Sequence, residues 1–150
     1  MPAQTPSDIV TSPTAEQMQL RAFARQRDRR QAMIAEDYCE LIADLITEHG
    51  EARAVDVARR LGVSHATVVN TVARLQRDGY ASSQPYRSIF LTPLGQRIAV
   101  ESKRRHETVT RFLQALGVDA ETARADAEGI EHHVSDATLA AFERFIAAQA

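Results

Sequence analysis

Cysteine is almost missing from this chain: Cys39 is the only one in 150 residues. A single thiol excludes an intrachain disulfide and fits a reducing compartment. Tryptophan is absent, and the aromatic residues are five Phe and three Tyr. A core built with so few rings points to helices packed by Leu, Ile, Val and Ala. No apolar run is long enough to span a bilayer, and the start of the chain lacks an apolar signal region. The protein is therefore expected in the cytoplasm. Apolar residues make up 44% and charged residues 25%, the ordinary globular range. The length suits one modest domain, or two very small ones sharing a core.

The net charge of −2 conceals a division along the chain. Between residues 53 and 90, Arg53, Arg59, Arg60, Arg74, Arg77 and Arg87 face only Asp56 and Asp78, a net +4. Between residues 119 and 150, Asp119, Glu121, Asp126, Glu128, Glu131, Asp136 and Glu143 face only Arg124 and Arg144, a net −5. A basic middle and an acidic end suggest one surface for polyanions and another for cations, although chance segregation of surface charge gives the same pattern.

Residues 1–30 form an expected N-terminal extension. Met1 to about Glu16 is rich in Pro, Ser and Thr without periodicity and is expected to be disordered. Arg21, Arg25, Arg27, Arg29 and Arg30 follow, on either an early helix or a mobile basic arm. The first strong amphipathic helix is predicted over Gln31 to Gly50, with Ile34, Tyr38, Leu41, Ile42 and Leu45 inward and Gly50 as its stop. Asp37 and Glu40 sit at i and i+3 along the edge of that stripe. By themselves they read as a solvated pair.

Ala52 to Gly79 has a helix-turn-helix pattern. A short helix over Ala54 to Leu61 points Val57, Ala58 and Leu61 inward. Gly62 takes the left-handed turn position, Val63 plugs the core, and Ser64 caps a second helix from His65 to about Arg77. Val68, Val72 and Leu75 face inward on it, which leaves His65, Thr67, Val69 and Asn70 on its outer side. An amide and small apolar groups at the start of such a helix suit a major groove. Two short strands follow, Tyr80 to Ser83 and Ser88 to Leu91, joined through Gln84, Pro85, Tyr86 and Arg87. A hairpin directly after a helix-turn-helix makes a winged helix, with Tyr86 and Arg87 near a tip that meets backbone phosphates or the minor groove. The candidate DNA-contacting set is thus Ser64, His65, Thr67, Val69, Asn70, Tyr86 and Arg87.

Thr92 and Pro93 read as the cap and first residue of a helix reaching about Leu116, with Ile98, Val109, Phe112, Leu113 and Leu116 on its apolar side. His106 lies midway along it. A lone histidine on a helix is ordinarily a surface or hydrogen-bonded core residue. Asp119 caps the next helix and Ser135 the last. The final helix carries Leu139, Phe142, Phe145 and Ile146, a stripe long enough to want a partner subunit as cover.

Between those caps, Asp126 to His133 reads Asp-Ala-Glu-Gly-Ile-Glu-His-His. On a helix, Glu128, Glu131 and His132 fall at i, i+3 and i+4 and share one face. Carboxylates with an imidazole favour Mn, Fe(II) or Zn over Mg or Ca. Three donors do not fill a coordination shell, so more would have to come from elsewhere. A solvated polar helix face has the same composition.

Taken together, several segments carry a resemblance. They are Ala35-Glu36-Asp37-Tyr38-Cys39-Glu40, Ala58-Arg59-Arg60-Leu61-Gly62-Val63-Ser64, Tyr86-Arg87, Leu91-Thr92-Pro93-Leu94-Gly95, Arg105-His106-Glu107 and Glu128-Gly129-Ile130-Glu131-His132-His133. In content, order and separation the chain resembles the manganese transport regulators (MntR) of the diphtheria toxin repressor superfamily, from Ala35 to about Phe145. The resemblance is to their short type, without an extra C-terminal SH3-like domain. It implies a mostly α fold, with a winged helix-turn-helix DNA-binding domain over residues 31–92 and a helical metal-binding and dimerisation domain over 93–150. It also implies a binuclear Mn(II) site of Asp37, Glu40, His106, Glu128, Glu131 and His132, two ions per subunit, with Fe(II), Co(II) or Zn(II) accepted in vitro. Iron-responsive relatives have Met where this chain has Asp37 and Cys where it has Glu128, so these two oxygen donors carry the manganese assignment.

The implied function is a homodimer that binds an inverted-repeat operator when loaded with metal and represses manganese uptake genes, with no membrane partner and no small-molecule substrate. Two features depart from the family pattern. Thr110 stands four residues after His106, where relatives often carry a carboxylate. The outer face of the helix from His65 also differs, so the operator sequence does not carry over. The alternatives are an iron(II)-responsive repressor of the same superfamily, a metal-independent winged-helix regulator, and a metallohydrolase with Glu128 or Glu131 as general base. Metal titration separates the second, and a substrate pocket, of which the sequence shows no sign, would be needed for the third.

Overall fold

The computed structural model describes residues 12–83 and 87–150. Six helices and one two-stranded sheet follow in the order α1 Ala15–His49, α2 Ala54–Leu61, α3 His65–Arg77, β1 Ala81–Ser82, β2 Phe90–Leu91, α4 Pro93–Ala115, α5 Ala120–Ile130 and α6 Asp136–Ala148. Among the described residues no helix is long and apolar enough to cross a membrane.

Of the two readings of the basic arm, the structure takes the helix, and α1 is longer than expected. It runs unbroken for 35 residues, through the boundary expected at 30/31 and back to Ala15. The basic arm is thus helical from Ala15 onward, and Glu16 already lies inside the helix. The reason is local: the Thr14 hydroxyl accepts from the Gln17 amide at 3.1 Å while the Gln17 side chain accepts from the Thr14 amide at 2.9 Å, a reciprocal cap. No Gly or Pro interrupts the chain from there to Gly50, whose φ of 79° ends the helix. The expected disorder of residues 1–11 lies outside the described residues.

The winged helix forms as its pattern suggests. Tyr38, Ile42 and Leu45 of α1 pack with Val57 and Ala58 of α2, Val68, Val72 and Leu75 of α3, and Ala81 and Ile89 of the wing. Gly62 takes φ 67° at the end of α2, and Ser64 accepts from the Thr67 amide to cap α3. Both strands are shorter than expected, pairing Ala81 with Leu91 and Ser82 with Phe90, and Ile89 bridges to Ala52 ahead of α2. Three residues expected inward are not. Ile34 (38%), Val63 (38%) and Leu116 (56%) remain exposed. Leu116 falls just past the end of α4, as its C-cap.

The second core is small: Val109, Ala127 and Leu139, bordered by Leu113, Ile130, Val134 and Phe142. Phe112 stacks on Phe142 with centroids 3.9 Å apart and meets Phe145 edge-on at 5.5 Å. α4 starts at its expected cap, with Thr92 accepting from the Gly95 amide and Pro93 at the first position. A β-carbon on Gly95 would lie 2.1 Å from the Tyr80 carbonyl oxygen, so glycine there lets the helix start against the wing. α1 packs lengthwise on α4 and joins the two cores.

Candidate metal centre and nucleic-acid interface

α5 stops at Ile130. Glu131 is its C-cap and the next two residues continue as a turn. The helix expected to carry Glu128, Glu131 and His132 thus ends before the last two, but the turn keeps Glu131 beside both Glu128 and His132. Turn carbonyls left without helical partners are taken by guanidinium groups. Arg105 of α4 donates to the Glu131 carbonyl at 3.1 Å and also to the Val134 carbonyl. Arg29 of α1 donates to the His132 carbonyl through Nε at 2.8 Å and Nη2 at 2.5 Å.

Two donor groups result, each with its ligand atoms within 4.8 Å of one another. One is Asp37, Glu131 and His132; the other is His106, Glu128 and Glu131. Glu131 belongs to both. Its Oε1 lies 3.2 Å from His132 Nε2, and its Oε2 lies 2.8 Å from His106 Nδ1. His132 Nε2 is also 3.0 Å from Asp37, and His106 Nδ1 is 3.5 Å from Glu128. Glu131 and His132 are 2% and 1% exposed, whereas Glu128 and Asp37 reach the surface.

His106 Nδ1 and Glu131 Oε2 are close enough for an ion pair, but they are not angled to hydrogen-bond each other. Both atoms are buried without a hydrogen-bond partner, as is the Thr110 hydroxyl one turn further along α4. A buried carboxylate oxygen and an imidazole nitrogen facing each other in this way are donors that a divalent cation would satisfy. Burial, reinforced by Glu128, Glu40 and Asp37 against the opposing pull of His132, pushes the Glu131 carboxyl up to about 8. Burial alone would lower His132, but hydrogen bonds from its ring to Asp37 and Glu36 outweigh it and raise it to about 10. The metal-free site therefore holds protons where oxygen and nitrogen donors converge, and the donor set fits a hard-to-borderline divalent ion.

Five of the six expected ligands are brought together. Glu40 is not: its Oε2 accepts from the Ser102 hydroxyl at 2.7 Å, although its charge still reaches Glu131. Sequence reasoning missed the role of Glu36, whose Oε2 lies 2.7 Å from His132 Nδ1. The available signal was its spacing, four residues before Glu40 and on the same side of α1. His133 is exposed and lies in neither group.

On the winged helix, Ser64, His65, Thr67, Val69 and Asn70 are all exposed, Val69 by 47%. Ser64 is occupied as a cap, its hydroxyl 2.9 Å from that of Thr67. His65, Val69 and Arg87 line one groove of about 840 Å³ between α3 and the wing, with Arg53, Gln76 and the exposed Phe90, which the sequence reading did not single out. Gln76 ties α3 to the wing by donating to the Ser83 carbonyl at 2.8 Å. Tyr86 lies outside the described residues.

Comparison with known proteins agrees with this layout. Residues 33–89 match the family model described as iron dependent repressor, N-terminal DNA binding domain, and residues 92–148 match the iron dependent repressor metal binding and dimerisation domain. The chain is similar to the transcriptional regulator MntR of Salmonella typhimurium, 51% identical over 82% of this chain and 78% of that protein. Against MntR of Escherichia coli O157:H7 it is 48% identical over 91% of this chain and 88% of the relative. Among solved structures it is similar to a manganese-dependent transcriptional repressor in complex with manganese, with 27% identity, a TM-score of 0.67, and coverage of 75% of this chain and 52% of that one. T. acidophilum IdeR gives 30% identity and a TM-score of 0.64, over 73% of this chain and 53% of its own. The chain thus spans about half the length of these solved relatives. Two family models in tandem, covering the winged helix and the metal-binding helices in turn, place the chain in the iron dependent repressor family.

Proposed function

We propose that this protein is a Mn(II)-dependent transcriptional repressor that binds operator DNA as a homodimer and controls manganese uptake genes from the cytoplasm. It is a regulator and not an enzyme, as its family and its MntR relatives are. The observation that carries the metal reading is Glu131, a buried carboxylate with one oxygen in each of two converging donor groups. This supports two ions per subunit, to each of which Glu131 would offer a donor oxygen. Asp37, Glu131 and His132 would hold one, and His106, Glu128 and Glu131 the other. Glu40, which now accepts from the Ser102 hydroxyl, would complete the six donors. Asp37 and Glu128 offer oxygen where a soft sulfur would favour other metals, which supports Mn(II) over Fe(II).

Bound ions supply the positive charge that lets these carboxylates stay ionised together. The chain's own residues convert that into DNA binding. Tyr38, Ile42 and Leu45 anchor α1 in the winged-helix core, while Asp37 on the same helix meets the turn after α5. Tying the turn to α1 restricts how the winged helix (31–92) sits on the dimerisation layer (93–150) and favours the orientation that fits DNA. Metal acts only through its higher affinity for that arrangement. A twofold dimer presents two copies of α3, which supports an inverted-repeat operator. Direct Mn(II) titration tests the site: two ions per subunit are expected, and fewer than one for Glu131→Ala. A full complement in the variant would place the metal elsewhere.

A further inference from the structure

Arg29 lies outside both matched family regions, which begin at residues 33 and 92. It nonetheless reaches from the N-terminal arm to the metal-binding turn. Its Nε and Nη2 both donate to the His132 carbonyl, 103 positions away in sequence. The direction of a side chain is set by the two peptide planes that flank its α-carbon. For His132, the plane before it is held by Arg105 on the Glu131 carbonyl, and the plane after it by Arg29 on the His132 carbonyl. With both planes fixed, the ring can enter between Glu36 on its Nδ1 side and Asp37 and Glu131 on its Nε2 side.

The spacing on α1 makes this a clamp. Arg29 and Glu36 are seven residues apart, two turns, so both face the same neighbour. One holds the backbone of His132 and the other its ring. No helical bond secures that carbonyl, because α5 has already ended at Ile130. The thirty-five-residue α1 starts at the Thr14 cap, so the basic arm that the sequence left as either an early helix or a mobile segment supplies one jaw.

We propose that Arg29 is a positioning residue of the metal centre: by fixing the peptide that follows His132, it aligns the donors of the turn, and the N-terminal arm is thereby part of the sensor. This rests on the metal site proposed above. The test is Mn(II) titration of the full-length wild type, Arg29→Ala and Arg29→Lys, with metal-free thermal midpoints and the visible absorption spectrum of each protein loaded with Co(II). Arg29→Ala should weaken Mn(II) binding at least tenfold, as loss of outer-sphere partners typically does. Its metal-free midpoint should stay within about 2 °C of wild type, a shift smaller than 1 kcal/mol, and its Co(II) spectrum should change. Arg29→Lys, which keeps one donor, should recover part of the affinity. Unaltered affinity in Arg29→Ala beside a normally binding wild type overturns this inference alone. So does an affinity loss matched by a comparable loss of metal-free stability, or a Lys variant no better than Ala. A wild type that takes up no Mn(II) overturns the proposed site, and this inference with it.

Discussion

Glu36 holds His132 by its Nδ1 atom, at 2.7 Å, and so leaves Nε2 facing Asp37 and Glu131. A carboxylate on the far nitrogen of a ligating imidazole fixes both the ring and its tautomer. Glu36→Gln should therefore lower Mn(II) affinity about 10–100-fold while leaving the fold and dimer intact. Isothermal titration checks it, and wild-type affinity in the variant would show that the ring needs no such support.

The protons held at Glu131 and His132 give the site a pH signature. Glu131 is raised to about 8 and His132 to about 10 in the metal-free protein. Both folded values lie above the unfolded ones, so both contributions to stability are fully present at low pH. The Glu131 contribution is lost as pH rises from about 4.5 through 8, and that of His132 from about 6.5 through 10. The metal-free thermal midpoint should fall across pH 6–9, and Mn(II) affinity should rise over the same interval because binding expels both protons. Titration at pH 7 in buffers of different ionisation enthalpy should register proton release. Affinity that is flat with pH would mean these groups are not the ligands.

The two DNA contacts differ in kind and should differ in signature. Asn70→Ala should relax preference at one base position per half-site, costing about 1–3 kcal/mol there. Arg87→Ala should weaken all sequences alike and reduce the salt slope by about one per subunit. Binding-site selection with both variants checks this. The docking face is wrong if Arg87→Ala alters base preference while Asn70→Ala alters only the salt slope.

Gly95 tests the joint between the wing and α4. Its missing β-carbon would stand 2.1 Å from a backbone oxygen of Tyr80, which cannot swing aside as a side-chain tip can. Gly95→Ala should cost about 1–3 kcal/mol or more, although alanine is the better helix former. Thermal melting of the metal-free variant measures it, and a raised midpoint would refute the close approach.

Much of this was legible because it is local. Gly62, Ser64, Thr92, Asp119 and Ser135 all punctuate the chain where their side chains or φ values predict. Val68, Val72 and Leu75 turned inward because a winged helix has one core for them. Ile34, Val63 and Leu116 did not, since periodicity says which residues share a face but not where the neighbouring element ends. The metal motif was legible only in part: its i, i+3, i+4 spacing assumed a helix through His132, and although α5 stops at Ile130 the turn still keeps Glu131 beside Glu128 and His132, while the division into two donor groups could not be read from spacing. Glu36 and Arg29 escaped notice because their partner lies about a hundred residues away, a pairing only the fold creates.

The most direct test of the central claim is operator binding by the purified protein with and without Mn(II), using fragments from upstream of manganese uptake genes, for wild type and Glu131→Ala. The account predicts tight binding by wild type only when Mn(II) is present, and weak, metal-indifferent binding by Glu131→Ala, which should remain a folded dimer. Equal binding by wild type with and without metal, or an unchanged Mn(II) response in Glu131→Ala, would contradict it.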